Sequence, residues 1–224
     1  MTIGIQNAFS AERFRPYLRA CDDDLLAATR LYAWNIEISA AFHGPLHCLE
    51  VALRNALHSQ LAQLFERVDW WAASNLFLDP IALQKIASAK ADVDRARTAP
   101  TTGHVIASLM FGFWVNLLAN SNDYETRLWR PALHKAFPGY SGRRGALHRD
   151  LYHVRLLRTR IAHYEPIHGR HLTADHATVL RVLGYLSPEV ADWVRLNDRV
   201  PEVLARRWDV CAAAVPTRLS ASRP

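Results

Sequence analysis

The feature that most constrains the fold is a long row of leucines in the first third of the chain. Six leucines follow one another at intervals of three or four residues: Leu46, Leu49, Leu53, Leu57, Leu61 and Leu64. This spacing places them on one side of an α-helix, since a helix turns by about 100° per residue. An apolar stripe of this length has to be buried against other elements, which makes the helix part of the core.

The rest of the chain predicts further helices. Asp79-Pro80 is typical of a helix N-cap followed by the first turn. His104–Asn120 is apolar nearly all round, which predicts one buried helix. His43-Gly44-Pro45 is expected to end the helix that precedes the leucine row, and Pro201–Ala214 is expected to form the last helix. No alternating strand pattern of useful length is present, and there is no internal repeat.

We therefore expect an all-α protein, a bundle of roughly eight helices. One domain should span residues 1–224, with an ordered core at about 9–214 and short tails. Half of the 224 residues are hydrophobic and seven are tryptophan, a composition that excludes a disordered chain.

Location is constrained by what the sequence lacks. No apolar run reaches the ~20 residues of a membrane span, so no membrane association is expected. Residues 1–10 lack the charged start and long apolar core of a signal peptide. The three cysteines, Cys21, Cys48 and Cys211, are scattered and odd in number. A disulfide framework is therefore not expected, and the predicted location is the reducing cytoplasm.

A basic motif lies near the end of another predicted helix. Leu147, Leu151, Val154 and Ile161 recur at helical spacing, which predicts a helix from about Ala146. Pro166 disfavours helical geometry at Glu165, so His163 should lie in the last turn, five residues after Arg158. A histidine that titrates near neutrality, close to a permanently charged arginine, suits chemistry on a phosphodiester.

The sequence around this motif resembles a known family. Arg-Thr-Arg-Ile-Ala-His-Tyr-Glu-Pro at residues 158–166 is similar to the Arg-X4–6-His motif of HEPN ribonucleases, in the form found in the Abi-like (abortive infection) proteins. Leu49–Asn55 and Phe111–Leu118 are similar in style to two further segments of the family, in the same order. Thr159 stands where the family usually has asparagine. The resemblance extends from about Phe9 to Tyr185.

The resemblance implies a HEPN-like fold and a metal-independent endoribonuclease that acts in phage defence or as a toxin. His163 would transfer the proton, and Arg158 would stabilise charge on the phosphate. No cofactor and no metal are implied. The implied partners are RNA and a second copy of the chain, and an antitoxin protein or RNA is a further candidate.

Proton transfer also bears on assembly. Cleavage through the 2′-hydroxyl needs one group that accepts a proton and one that donates a proton. One motif supplies one histidine, so a lone protomer would need His153 or His168 as a second one. HEPN ribonucleases are understood to build one site from two protomers, each of which supplies an arginine and a histidine.

Substrate binding is expected from residues in and around the three segments. The candidates are Thr159, Arg160 and Tyr164 in the motif, Glu50, Arg54 and Asn55 in the first segment, and Arg143 and Arg144 in the loop before the motif helix. Glu50 and Arg54 could equally form an i,i+4 pair on a partly exposed flank. Arg155 and Arg160 are alternatives to Arg158 for the phosphate role.

Net charge is concentrated around the motif. Residues 127–170 contain ten basic and two acidic side chains, a surplus of +8, whereas the whole chain carries +6. Such a surplus is what a surface that binds a polyanion needs, but a solvated face of a basic protein would show it too.

Two other functions are alternatives to the nuclease. A helical RNA-binding or regulatory protein without catalysis would keep the same fold, and it is the alternative. Metal binding is raised by the histidines, in particular by His163, His168, His171 and His176. No Cys-X2-Cys or His-Glu-X2-His pattern supports a metal site, and no Gly-rich phosphate loop or Gly-X-Ser-X-Gly element indicates a common cofactor enzyme or hydrolase.

Overall fold

The structure is a computed structural model that describes residues 2–208. It contains ten α-helices: α1 Thr2–Phe9, α2 Ala11–Ala20, α3 Leu25–Phe65, α4 Pro80–Ala96, α5 Thr102–Ser108, α6 Phe111–Asn116, α7 Arg144–Ala162, α8 Leu172–Leu186, α9 Pro188–Asn197 and α10 Val200–Ala205. Three short helical turns complete it: Trp70–Ala72, Glu125–Trp129 and Leu133–Ala136.

The all-α prediction is confirmed, because no strand occurs between residues 2 and 208. Ten helices replace the roughly eight that were expected. The last expected helix, Pro201–Ala214, corresponds to α10 and to helical residues 207–208, and its residues 209–214 lie outside the described part of the chain. None of the helices in the described range is long and apolar enough to cross a membrane.

The chain forms two compact units, each assembled from separate segments. Among the described residues, the first unit comprises 2–46, 157–177 and 194–208, and the second comprises 47–156 and 178–193. Helices α3, α7, α8 and α9 contribute residues to both units. A single domain over residues 1–224 stays a prediction.

Helix α3 corrects the expected break at His43-Gly44-Pro45, since it runs through these residues without interruption. A proline inside a helix removes a hydrogen bond and costs about 3 kcal/mol. The buried face of the helix continues on both sides of Pro45 and includes Trp34, Ile38, Phe42, Leu46, Leu49, Leu53, Leu57 and Leu61. Burial of one such side chain stabilises the folded state by roughly 1.5–3 kcal/mol. The burial of the whole stripe therefore exceeds the cost of one proline in the helix.

The predicted helix His104–Asn120 is divided in the structure into α5 and α6. Leu109, between them, adopts an extended backbone with φ −73° and ψ 112°. Its carbonyl accepts a hydrogen bond from Trp114 Nε1 at 3.0 Å, and the amide of Phe111 donates to Glu50 Oε1 at 3.1 Å. Side chains thus pair backbone groups at the break, and such pairing lets a helix end inside a protein.

In the first unit, Asn35 of α3 holds the segment that follows the motif. Its buried side-chain oxygen accepts hydrogen bonds from the amides of Ile167 at 2.8 Å and His168 at 3.1 Å. The side chain of Ile167 is itself fully buried. The side-chain oxygen of Asn35 therefore accepts the hydrogen bonds that these loop amides would otherwise make in regular secondary structure.

We predict that Asn35→Ala lowers the free energy of unfolding by about 2–4 kcal/mol. The substitution leaves two buried N–H groups without an acceptor, and each such group costs about 1–3 kcal/mol. Urea denaturation measures the change. Asn55→Ala is the matched control, because Asn55 is exposed on the same helix and should shift stability by no more than about 0.5 kcal/mol. Equal effects of the two variants would contradict the anchoring role.

Candidate functional site

The motif lies at the C-terminal end of α7, as the sequence predicted. The helix itself ends at Ala162, and His163 is its capping residue, with its amide donating to the Thr159 carbonyl at 3.0 Å. The His163 side chain is exposed, whereas Arg158 is half-buried. This end of α7, with residues 158–164, all of which belong to the first unit, is called the motif end below.

The chain leaves α7 through a Schellman motif. The amide of Tyr164 donates to the Ile161 carbonyl at 3.1 Å, and the amide of Glu165 donates to the Arg160 carbonyl at 2.8 Å. In this arrangement the residue after the cap adopts the left-handed conformation and is usually glycine. Tyr164 occupies that position with φ 56°.

Tyr164 is an unfavourable residue for this conformation. The left-handed region costs a residue with a Cβ atom roughly 1–2 kcal/mol. The side chain is 80% exposed, so little packing offsets this cost. The Tyr164 carbonyl instead accepts a hydrogen bond from the guanidinium of Arg13, which fixes the backbone from outside the helix.

Arg13 is the residue that sequence analysis missed. It lies on α2, 151 positions before Tyr164, and no local spacing connects the two. A second guanidinium fixes the same turn from within the motif, because Arg160 Nη1 donates to the Pro166 carbonyl at 3.3 Å. Two arginines, Arg13 and Arg160, therefore bind carbonyl groups just after the helix end that carries His163.

Arg158 and His163 do not share one helix face. Five residues correspond to a rotation of about 140° on an ideal helix, and their different degrees of burial agree with this. Thr159 and Arg160 are exposed beside them. Arg160 approaches Glu165 at 3.9 Å, but both side chains are about half exposed, so this ion pair is weak.

Glu50 and Arg54 lie in the second unit and contact the break between α5 and α6. Glu50 accepts from Phe111 at the N-terminus of α6, and Arg54 Nη1 donates to the Ala107 carbonyl near the C-terminus of α5 at 3.4 Å. A carboxylate at a helix N-terminus and a cation at a C-terminus both complement the helix dipoles. These contacts give the two residues a structural role, while Asn55 is exposed next to Arg54.

Arg144 corrects part of the prediction that the loop before the motif helix binds substrate. It is the first residue of α7 and only 8% exposed. Its guanidinium donates to Glu125 at 2.6 Å and also to the Leu118 carbonyl, and the bond from Arg144 lowers the pKa of the Glu125 carboxyl. Arg144 is therefore not available to RNA, and only Arg143 of the predicted pair is exposed.

Ion pairs in the structure offset part of the positive charge of residues 127–170. Several arginines of this segment pair with carboxylates from outside the segment: Arg127 with Asp123 at 3.9 Å, Arg130 with Glu125 at 3.3 Å, and Arg170 with Asp175 at 2.8 Å. The first two of these pairs are about as exposed as the Arg160–Glu165 pair and are equally weak, so of the three only the Arg170–Asp175 pair removes much positive charge from the surface.

His168 is unsuited to serve as an exposed second histidine. It is 9% exposed, and its ring packs on Tyr17 with the ring centroids 4.9 Å apart. Burial lowers the pKa of His168, and the charge of Arg207 lowers it further. Among residues 2–208, no group of three or more His, Cys, Asp or Glu side chains is arranged to hold a metal ion.

Comparisons with known proteins do not assign a family. No family model, no curated protein and no solved structure matches this chain. The likeness to the Abi-like proteins therefore depends on the three sequence segments alone.

We predict that Tyr164→Gly raises the free energy of unfolding by about 1 kcal/mol, because glycine adopts the left-handed conformation without steric cost. Tyr152→Gly is the matched control, since Tyr152 is an exposed tyrosine inside α7. Glycine inside a helix lowers stability by roughly 1 kcal/mol. Opposite signs in urea denaturation are expected, and destabilisation by both substitutions would refute the assignment of strain to Tyr164.

Proposed function

We propose that this protein is a metal-independent endoribonuclease of the HEPN type that acts on cytoplasmic RNA in phage defence or as a toxin. One observation carries the proposal. The first unit presents an exposed histidine at the cap of α7, on a helix end that is strained at Tyr164 and surrounded by Arg13, Arg158 and Arg160. Strained backbone occurs preferentially at functional sites.

The reaction proposed for this site is an attack by the RNA on itself. A general base removes the proton of the 2′-hydroxyl, the 2′-oxygen attacks phosphorus, and the bond from phosphorus to the 5′-oxygen breaks as a general acid protonates that oxygen. The products are a 2′,3′-cyclic phosphate and a 5′-hydroxyl. His163 supplies one proton transfer, a role worth ~10²–10⁴-fold in rate.

Charge on the phosphate is assigned to the arginines. Arg158 stabilises the negative charge of the transition state, for which a guanidinium offers two parallel N–H donors. Arg160, which is exposed, contacts the neighbouring phosphate and contributes mainly to binding. Thr159 and Arg143 are further substrate contacts in this proposal.

A shared site between two copies follows from the histidines. The reaction needs an acid and a base. Burial removes His168 from the candidates for the second role, and His153 belongs to the second unit, whereas His163 belongs to the first. A twofold axis at the motif end would add a second His163 and a second Arg158. We therefore propose that the active form is a homodimer, with RNA as substrate and an antitoxin as a further partner.

A non-catalytic RNA-binding or regulatory protein is the second candidate. It is favoured by the separation of Arg158 and His163 on the helix and by Thr159 in place of the family's asparagine. An RNA-binding protein would use the same surface as the nuclease, and either form of the second candidate would leave RNA uncut.

We predict that His163→Ala and Arg158→Ala each reduce RNA cleavage at least about 10²-fold, while Arg160→Ala weakens binding more than it slows the chemical step. The assay uses purified protein with EDTA, an end-labelled RNA and the matched DNA, and it identifies the cyclic phosphate on the product. His43→Ala is the matched control, because His43 is an exposed histidine of the same unit. A folded His163→Ala protein with full activity would eliminate the catalytic assignment.

We further predict that mixing Arg158→Ala and His163→Ala protomers restores part of the lost activity. A mixed dimer contains one His163 and one Arg158, so one of the two proton transfers is catalysed with an arginine present, and the recovery is partial. Light scattering gives the oligomeric state in parallel, and a mixture of two His163→Ala preparations provides the control. A fully active monomer, or a dimer without recovery on mixing, would refute a site shared across the interface.

A further inference from the structure

The side chain of Tyr164 has no explanation in the fold. The left-handed backbone at this position favours glycine, and the side chain is 80% exposed. A residue that strains the backbone and packs poorly contributes little to stability. Such a residue indicates a contact with something outside the fold.

Hydrogen bonds fix the backbone on both sides of Tyr164. The Tyr164 amide and the following amide close the end of α7, the Tyr164 carbonyl is bound by Arg13, and Arg160 is bound to the Pro166 carbonyl. These bonds restrict where the Cβ atom can move, so the ring turns about its own side-chain torsions from a fixed attachment point. Binding of the ring therefore costs side-chain entropy but little backbone entropy.

The charges around Tyr164 indicate the kind of ligand. His163 precedes it, and Arg158 and Arg160 lie on the last turns of α7. Glu165 is the one acidic residue between 157 and 174, and it lies near Arg160. A flat apolar surface beside several cations fits a ligand that carries an aromatic ring next to a negative group. A nucleotide with an unpaired base has this chemistry.

We propose that Tyr164 is a stacking platform for an unpaired nucleobase next to the phosphate bound at the motif end, and that it makes the protein select single-stranded RNA over duplex RNA. The inference rests on the proposed function, because it takes the RNA-binding surface from it. In a duplex, both faces of a base are covered by its neighbours in the stack. In a single strand, one face is free to lie on the tyrosine ring.

The size of the effect follows from other single-stranded nucleic acid sites. Removal of one stacking aromatic residue there weakens binding by about 5- to 150-fold per base. Stacking releases no counterions, so the slope of binding against salt concentration should not change when the ring is removed. Loss of a phosphate contact such as that of Arg160 should reduce this slope by about one.

The experiment measures RNA binding in the absence of cleavage. Full-length His163→Ala protein is titrated, with EDTA, into a fluorescently labelled single-stranded RNA and into the same strand in a blunt duplex. Tyr164→Gly and Tyr164→Trp are then introduced into this background. Trp208→Ala is the matched control, because Trp208 is a strongly exposed aromatic residue of the same unit.

The expected result is that Tyr164→Gly loses about 5- to 150-fold in affinity for the single strand and much less for the duplex. Tyr164→Trp and Trp208→Ala should retain single-strand affinity. An equal loss for both RNAs, or no loss, would overturn the platform. So would a change in oligomeric state by light scattering with unchanged RNA affinity, because Tyr164 would then be a protein contact.

The outcome also separates this inference from the nuclease proposal. A wild-type protein that binds RNA through Tyr164 without cutting it refutes the nuclease and leaves the platform standing. A wild-type protein that cuts RNA, with no effect of Tyr164 on binding, refutes the platform alone.

Discussion

Burial of one face of helix α3 is the constraint on which the other elements depend. Its apolar stripe supplies fully buried side chains to both compact units and keeps the helix intact through Pro45. Polar residues at the edges of the stripe then fix irregular segments. Asn35 binds the amides after the motif, while Glu50 and Arg54 bind the ends of α5 and α6. A core helix with few, well-placed polar groups thus determines where the loops lie.

The motif end shows how a site can differ from the fold that carries it. Six other described residues adopt positive φ, but they are serine, aspartate, asparagine and glutamate, whereas at Tyr164 an aromatic residue stands where the backbone favours glycine. Proteins retain such conflicts where a side chain is needed for an external contact. The hydrogen bond from Arg13 holds the strained carbonyl, so the conflict is supported by tertiary structure.

Charge illustrates why a count along the chain is a poor guide to a binding surface. Arg144 looked like part of a cationic loop, yet it is buried against Glu125 and the Leu118 carbonyl. Such an arginine contributes to folding and not to the outer potential. The cations that remain near His163 are few, and a site that depends on few cations gains from an aromatic contact that salt does not screen.

The sequence by itself determined the helical class, the leucine face of α3 and the position of His163 at a helix end, because helical spacing and proline are local signals. Only the tertiary structure decided the continuity of α3 through Pro45, the break between α5 and α6, and the partners of Glu50, Arg54 and Arg144. These outcomes depend on hydrogen bonds and packing contacts between residues far apart in the chain. Such contacts leave no periodic pattern in the sequence. The hydrogen bond from Arg13 to the Tyr164 carbonyl is the clearest case, because no sequence pattern connects these two residues.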